Sequence, residues 1–278
     1  MSRLDLHCHS TSSDGRYPAA DVLARALASG LDVLSLTDHD LPPVLPHGLV
    51  ERPPNLKTGA PERPLRLVHG VEVTGAHDGR EYHLLVYFPG EMPAGFIEFC
   101  KSRARFRAAR FDFTCERLEL PDRAAPEAHA GDRALTRHHL AAALQKKHML
   151  PSGEPSPDFT WQNAYDLLRD PRNVPLCDLS FVDAIRVARD AGGQTSWAHP
   201  PLNDAQRHVP TFVAAGLQAL EGVRPRTDKP TKNGLKRLAT LHKLLVTGGS
   251  DWHGWTDDFG HFSLAGEHSD RWLAALDA

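Results

Sequence analysis

Cysteine is scarce in this chain, long apolar runs are missing, and charge of either sign barely predominates. Each shortage removes a class of protein. The four cysteines, Cys8, Cys100, Cys115 and Cys177, are scattered through 278 residues and never pair as C-x-x-C. Neither a disulfide framework nor a zinc knuckle is expected from them, and they read as reduced, buried, small apolar side chains. No apolar stretch approaches the roughly 20 residues of a membrane-spanning helix. The first residues lack the charged-then-apolar pattern of a secretory signal, so the expected location is cytoplasmic, with no membrane partner. A formal net charge of -3 argues against gripping a large nucleic-acid duplex by bulk electrostatics, while leaving room for a local basic patch. The nucleophile elbow G-x-S-x-G is missing, as are the phosphate-cradling G-x-x-x-x-G-K-[ST] loop and the G-x-G-x-x-G fingerprint. No internal repeat or low-complexity tract organises the chain.

What is present is ordinary for a soluble globular protein, 41% hydrophobic and 24% charged, of one large domain or two smaller ones. The exception is histidine. Seventeen are many for this length, and they are dispersed, several at predicted strand ends, which speaks against a simple metal-storage tract. The organising stretch is Leu4-Asp5-Leu6-His7-Cys8-His9-Ser10-Thr11-Ser12-Ser13-Asp14-Gly15. A strand over 4–8 projects Asp5, His7 and His9 to one side and Leu4, Leu6 and Cys8 to the other. Two imidazoles on one side of a strand end can share a metal ion. Asp14, on the Ser/Gly-rich loop that follows, can fold its carboxylate back over them. Alone, His-x-His recurs by chance; the rest of the chain gives it weight.

Pro18 opens a predicted helix and Gly30 closes it, with Ala19, Val22, Leu23, Ala26 and Leu27 at helical spacing. A buried strand over 31–36 then delivers His39. Strand, helix, strand implies a right-handed parallel unit, which places His39 at the same strand end as His9, where active sites of parallel α/β folds collect. Residues 41–66 hold seven prolines and read as an ordered loop. A strand over 67–73 carries Glu72, Asp78-Gly79 signals a tight turn, and a strand over 82–88 carries His83. From about 90 to 172 the pattern turns helical and charged. Phe99, Phe106, Phe113 and Leu120 recur every seven residues and read as a packing stripe. Arg103, Arg110 and Arg117 flank it, as a solvated face or otherwise a phosphate-facing row. Further helices are expected over 136–147 and 161–169. The α/β pattern resumes with Ser180 as an N-cap and a helix through Ala191. Strands over 194–198 and 217–223 follow, then a helix over 232–242, a strand over 244–247 and a last helix over 270–276.

Six histidines and three carboxylates thus stand at or just beyond predicted strand ends: His7, His9, Asp14, His39, Glu72, His83, His199, Asp251 and His253. The stretches Asp5-Leu6-His7-Cys8-His9-Ser10, Ser13-Asp14-Gly15, Leu36-Thr37-Asp38-His39-Asp40, Gly70-Val71-Glu72-Val73, Ala198-His199-Pro200 and Gly249-Ser250-Asp251-Trp252-His253-Gly254 resemble, in order and from end to end, the PHP (polymerase and histidinol phosphatase) superfamily of metal-dependent phosphoesterases. Within it the chain is similar to the stand-alone bacterial branch that includes nucleoside 3′,5′-bisphosphate phosphatases. The resemblance implies an α/β fold, a distorted seven-stranded (β/α) TIM-like barrel over residues 1–90 and 173–278. A helical insertion over 91–172 would cover the active-site mouth.

The resemblance also implies two to three divalent transition ions (Mn, Fe or Zn). One would take His7, His9, Glu72 and Asp251, a second His83 and His199 with Glu72 as bridge, and a third Asp14, His39 and His253. Glu72, Asp251 and His253 are thereby the catalytic candidates. Three such ions carry more positive charge than three carboxylates return, which suits a phosphate dianion. Bound metal lowers the pKa of water from about 15.7 towards 7, so no side-chain base is needed to make the nucleophile. Asp5, Asp38 and Asp40 read as residues that orient ligands. Leu135-Thr136-Arg137-His138-His139-Leu140 resembles the insertion motif that sets an Arg and a His over the metals. Arg137 is the first choice to clamp phosphate, with Arg107 and Arg110 weaker candidates; Arg224 and Arg226 can also reach the mouth, though a solvated reading is slightly favoured for them. Trp197 and Trp252, beside ligand positions, read as packing residues before base-stacking ones. The expected substrate is a small phosphorylated, nucleotide-like molecule, a nucleoside 3′,5′-bisphosphate or a short oligonucleotide end. The alternatives are a phosphatase for a non-nucleotide metabolite such as histidinol phosphate, and a non-catalytic metal-stabilised binding module. Oligomeric state is not legible.

Overall fold

A computed structural model describes residues 2–54, 62–256 and 259–278. The chain opens with β1 (Leu4–Asp5), α1 (Ala19–Ser29) and β2 (Val33–Leu34). Gly30 ends α1 in the left-handed conformation, φ 74°, as a C-terminal glycine does without steric penalty. β3 (Gly48–Val50) and β4 (Leu65–Leu67) follow, then the long hairpin of β5 (His69–His77) and β6 (Arg80–Phe88). Its two-residue turn puts both Asp78 and Gly79 at positive φ, the turn twist that matches antiparallel strands. Four helices come next: α2 (Ala94–Arg117), α3 (Pro126–Ala130), α4 (Arg137–Lys147) and α5 (Trp161–Leu168). The chain then returns to alternation through α6 (Phe181–Asp190), β7 (Gln194–Trp197), α7 (Leu202–Ala214), β8 (Ala219–Val223), α8 (Lys229–Leu241), β9 (Leu245–Gly248) and α9 (Glu267–Leu276).

The strands form two sheets, ordered β1-β2-β4-β3 and β5-β6-β7-β8-β9. The closed seven-stranded barrel expected from the resemblance is not found among the described residues. β1, β2 and β4 pair in parallel with β3 antiparallel to β4, and the second sheet mixes an antiparallel β5-β6-β7 half with a parallel β7-β8-β9 half. The sheets touch through isolated bridges, Cys8 with Trp252 and His39 with Glu72. The physical reason is that β1 and β2 are only two residues each. Just past them the backbone leaves the ladder, with Asp40 at φ 50°, and the side chains there serve the site.

The expected strand over 67–73 divides at Val68, so β4 joins the first sheet and β5 the second. The proline-rich loop contains β3, and its residues 55–61 lie outside the described residues. α7 was not legible because prolines 200, 201 and 210 mask it; Pro210 sits inside the helix. α8 begins three residues earlier than expected, since the Asp228 side chain accepts from the Thr231 backbone N–H and caps it.

Two apolar cores matter for the site. One lies on the second sheet and gathers Trp197, Phe181, Phe212 and Tyr82 with Val71, Leu84 and Val86. The other lies among α2, α4 and α5, from Phe111, Cys115, Leu140, Leu144 and Leu168. Each such side chain contributes roughly 1.5–3 kcal/mol by leaving water. The buried face of α2 is Phe96, Cys100, Ala104, Ala108, Phe111 and Cys115. It is not the seven-residue stripe, for Phe113 remains 47% exposed. A straight helix rotates a strict heptad row by about 20° per repeat, which carries Phe113 out of the contact. Arg110 is buried and Arg103 nearly so, each against a carboxylate, Glu81 and Asp178, and of the three expected on a solvated face only Arg117 is exposed.

Candidate metal centre

The nine side chains expected to bind metal converge on Glu72, which β5 holds at 0% exposure. Its Oε1 lies 3.0 Å from both His83 Nδ1 and His199 Nε2. Its Oε2 lies 3.3 Å from His7 Nε2, 3.3 Å from His9 Nε2 and 3.1 Å from His39 Nδ1. Asp251 Oδ1 faces His7 Nε2 at 3.4 Å and His9 Nε2 at 3.5 Å. On the far side Asp14 meets His253 at 3.3 Å, His39 at 3.6 Å and His9 at 3.7 Å. The donor atoms fall into four overlapping groups: His9 with Asp14, His39 and His253; His7 with His199 and Asp251; His7 with His9 and Glu72; and His39 with Glu72 and His83. Asp14, His39 and His253 therefore share a group as expected, with His9 added. His199 groups with His7 and Asp251, and His39 joins His83, so the division into three separate sets is finer than this geometry.

These atoms fit divalent ions. Two ligands each about 2.0–2.2 Å from one ion and roughly at right or tetrahedral angles stand about 3.0–3.5 Å apart. That is the spacing seen here. His7 Nε2, His9 Nε2, His39 Nδ1, Glu72 Oε2 and Asp14 Oδ1 are moreover buried without a hydrogen-bond partner, a state that buried polar atoms rarely keep. Burial opposes charge on Glu72, Asp14 and Asp251. The histidines around them outweigh it and hold all three carboxyls well below their usual range. Burial also works against protonating His253, yet Asp14 and Asp251 raise its pKa to about 9. Protons and divalent ions therefore compete for the same electron-rich cluster.

Backbone geometry aims the set. His199 and Asp251 take left-handed conformations, φ 34° and 51°, which for non-glycine residues costs about 1–3 kcal/mol and is found where a site requires it. Gly249 must be glycine, because a Cβ there would overlap the backbone and Cβ of His7. Asp5 accepts from the Ser250 N–H at 2.8 Å and so ties β1 to the end of β9. Burial lifts its carboxyl to about 6 against those hydrogen bonds. Asp38 accepts from the backbone N–H and hydroxyl of Ser10 at 2.8 and 2.6 Å. Asp40 takes the Thr74 N–H at 2.9 Å and the Arg107 Nε–H at 2.6 Å. All three orient loops that carry candidate ligands. Trp197 and Trp252 are buried packing residues.

Glu221 was missed. Buried on β8, it accepts from His7 Nδ1 at 2.9 Å and from the His199 backbone N–H at 2.7 Å. That contact fixes the His7 tautomer and leaves Nε2 to face Glu72. The only sequence signal was a carboxylate inside the apolar run Ala219–Val223. The three arginine candidates line a cavity of about 210 Å³ with Asp14, His39 and His83. Arg107 is spent on Asp40, Thr74 and the Leu135 carbonyl. Arg110 and Arg137 share Glu81, and of the three Arg137 is the most exposed, at 32%. Against burial, the arginines hold Glu81 at about 2.

No protein-family model matches the chain. Among proteins of known activity it is 32% identical over 267 residues to a phosphoribosyl 1,2-cyclic phosphate 1,2-diphosphodiesterase of Eggerthella lenta, covering 90% of this chain and 94% of that one. The chain belongs to the PHP superfamily of metal-dependent phosphoesterases. A second PHP relative is the 3′,5′-nucleoside bisphosphate phosphatase of Chromobacterium violaceum, 28% identical over 264 residues, with 91% of this chain and 88% of that one covered. The fold is that of a solved structure from Bifidobacterium adolescentis, described as a metal-dependent phosphoesterase. The TM-score is 0.70 at 22% identity over 99% of this chain and 96% of that one. Among the described residues, no helix is long and apolar enough to cross a membrane.

Proposed function

We propose that this PHP protein hydrolyses phosphomonoesters of small nucleotide-like molecules, using two to three Mn, Fe or Zn ions held by the nine side chains around Glu72. The observation that carries the reading is the convergence of unpartnered, buried nitrogen and oxygen atoms at ligand spacing. Relatives that cleave a phosphoribosyl cyclic phosphate and a nucleoside bisphosphate support the substrate class. Bound divalent ions supply Lewis acidity, lowering the pKa of water and balancing charge on phosphoryl oxygens. Glu72 presents one oxygen to His83 and His199 and the other to His7, His9 and His39, which suits it to bridge two positions. Asp251 and His253 complete the set where it opens to the mouth. Arg137 is the phosphate clamp, held in place by Glu81, while Arg110 and Arg107 add positive potential from buried sites. Residues 1–90 and 173–278 make the catalytic body, with the sheet edges bridged towards a distorted barrel. Residues 91–172 are an insertion that builds the arginine side of the mouth.

The test is hydrolysis of an aryl phosphate by purified protein. Turnover should vanish with a chelator and return with Mn. Protein that takes up neither Mn, Fe nor Zn at micromolar concentration would overturn the reading.

A further inference from the structure

A second cavity, of about 310 Å³, opens beside the ligand cluster, and Arg224, Arg226, Ser250, Asp251, His253 and Trp255 are among the residues that line it. It shares Asp251 and His253 with the candidate metal ligands, so whatever occupies it adjoins the reacting phosphate. Its volume is that of a small-molecule site. Trp255 is 58% exposed, whereas Trp197, Trp252 and Trp272 are buried. Its ring stands 5.2 Å from that of His138 and 5.7 Å from the Arg16 guanidinium. Among the described residues Arg224 keeps only long charge contacts, 3.7 Å to Asp251 and 3.9 Å to Glu221. Arg226 is exposed at φ 58°, and among the described residues no carboxylate pairs with it.

A flat aromatic face beside two arginines recognises a flat ring linked to an anion. A sugar phosphate or an amino-alcohol phosphate has no aromatic ring to stack there. We propose that this cavity takes the nucleobase of the substrate, stacked on Trp255, with Arg224 and Arg226 towards its sugar-phosphate side. The proposal rests on phosphoester hydrolysis at the adjoining centre. Trp161 is the competing platform, but it lies outside this cavity and stacks on His138 at 5.2 Å and 12°.

The experiment compares adenosine 5′-monophosphate with ribose 5-phosphate, which differ by the base alone, in Mn-loaded wild type, Trp255→Ala, Trp255→Phe and Trp161→Ala. The ratio of kcat/KM for the two should fall about fivefold or more in Trp255→Ala, the effect of losing one base–aromatic stack. Trp255→Phe should restore most of it. An unchanged ratio in Trp255→Ala, or a loss confined to Trp161→Ala, overturns the subsite. Wild type that cleaves neither ester gives no ratio, and the hydrolytic reading is then judged by the aryl phosphate alone. The subsite is then decided by titrating adenosine against tryptophan fluorescence. A quench that disappears in Trp255→Ala supports it, and a quench unaltered by that substitution rejects it.

Discussion

At the scale of single residues, Glu72 and His253 differ in how many neighbours depend on them. Glu72 faces five histidines within 3.3 Å, while His253 meets Asp14 at 3.3 Å and Asp251 Oδ1 at 3.7 Å. Glu72→Gln should therefore reduce metal content and abolish turnover more completely than His253→Ala. Metal analysis with kinetics on an aryl phosphate checks this, and wild-type metal content and activity in Glu72→Gln would refute the bridging role. Arg137 is a different case, because it touches no ligand. Arg137→Ala should leave metal content unchanged and raise KM for a nucleotide substrate, with kcat/KM lower by about ten- to a hundredfold. That is the loss of one charge-assisted hydrogen bond worth roughly 1.5–3 kcal/mol. Equal kinetics for mutant and wild type would return Arg137 to being only a partner of Glu81.

At the scale of elements, α4 shows how the helices between β6 and α6 are held beside the candidate site. Thr136 caps it by accepting from the His138 N–H, and the His139 ring accepts from the Thr136 N–H at 3.1 Å, a reciprocal cap. Burial lowers the pKa of His139 to about 4, below its usual 6.5. The unfolded chain then binds a proton between pH 6.5 and 4 that the folded chain refuses. Stability from this group is complete above about pH 6.5 and is lost as pH falls towards 4, by about 3 kcal/mol. His139→Gln keeps an acceptor at the same helical position and cannot be protonated. Its thermal stability should decline less than that of wild type from pH 7 to 4.5. Parallel melting curves over that range test it, and identical acid sensitivity would remove His139 from the account. The same element explains a misreading of α2. Periodicity marked a helix there, but which face is buried depended on where α4 and β6 present Leu140 and Glu81 to it.

At the scale of the whole molecule, the candidate ligands come from both ends of the chain. His7 and His9 follow β1, Asp251 and His253 follow β9, and the Asp251 N–H donates to the His7 carbonyl at 2.7 Å. Ions held between them bind only the folded arrangement, so they should stabilise the entire chain. At a hundredfold excess over Kd one site adds about 2.7 kcal/mol, a rise in Tm of roughly 5–10 °C for a chain of this size. Calorimetry of chelated and Mn-loaded protein should show that rise, and coincident melting curves would mean that no ion links the two ends.

The candidate ligand types and their order were written in the sequence, because alternation along a strand and the strand-end position of each histidine are local properties. So were α1 with its Gly30 stop, the β5–β6 turn and the cap at Ser180, all set by residues within a turn of one another. Tertiary structure alone decided the rest. Glu221 orients His7 across 214 positions, which no local pattern records. The break at Val68 sent two halves of one apolar run into different sheets, since pairing partners, not propensity, choose a ladder. Arg107 and Arg110 were weaker phosphate candidates in the sequence, and only packing could show them buried against Asp40 and Glu81. A charge is assigned by its residue, but what it can reach is assigned by the fold.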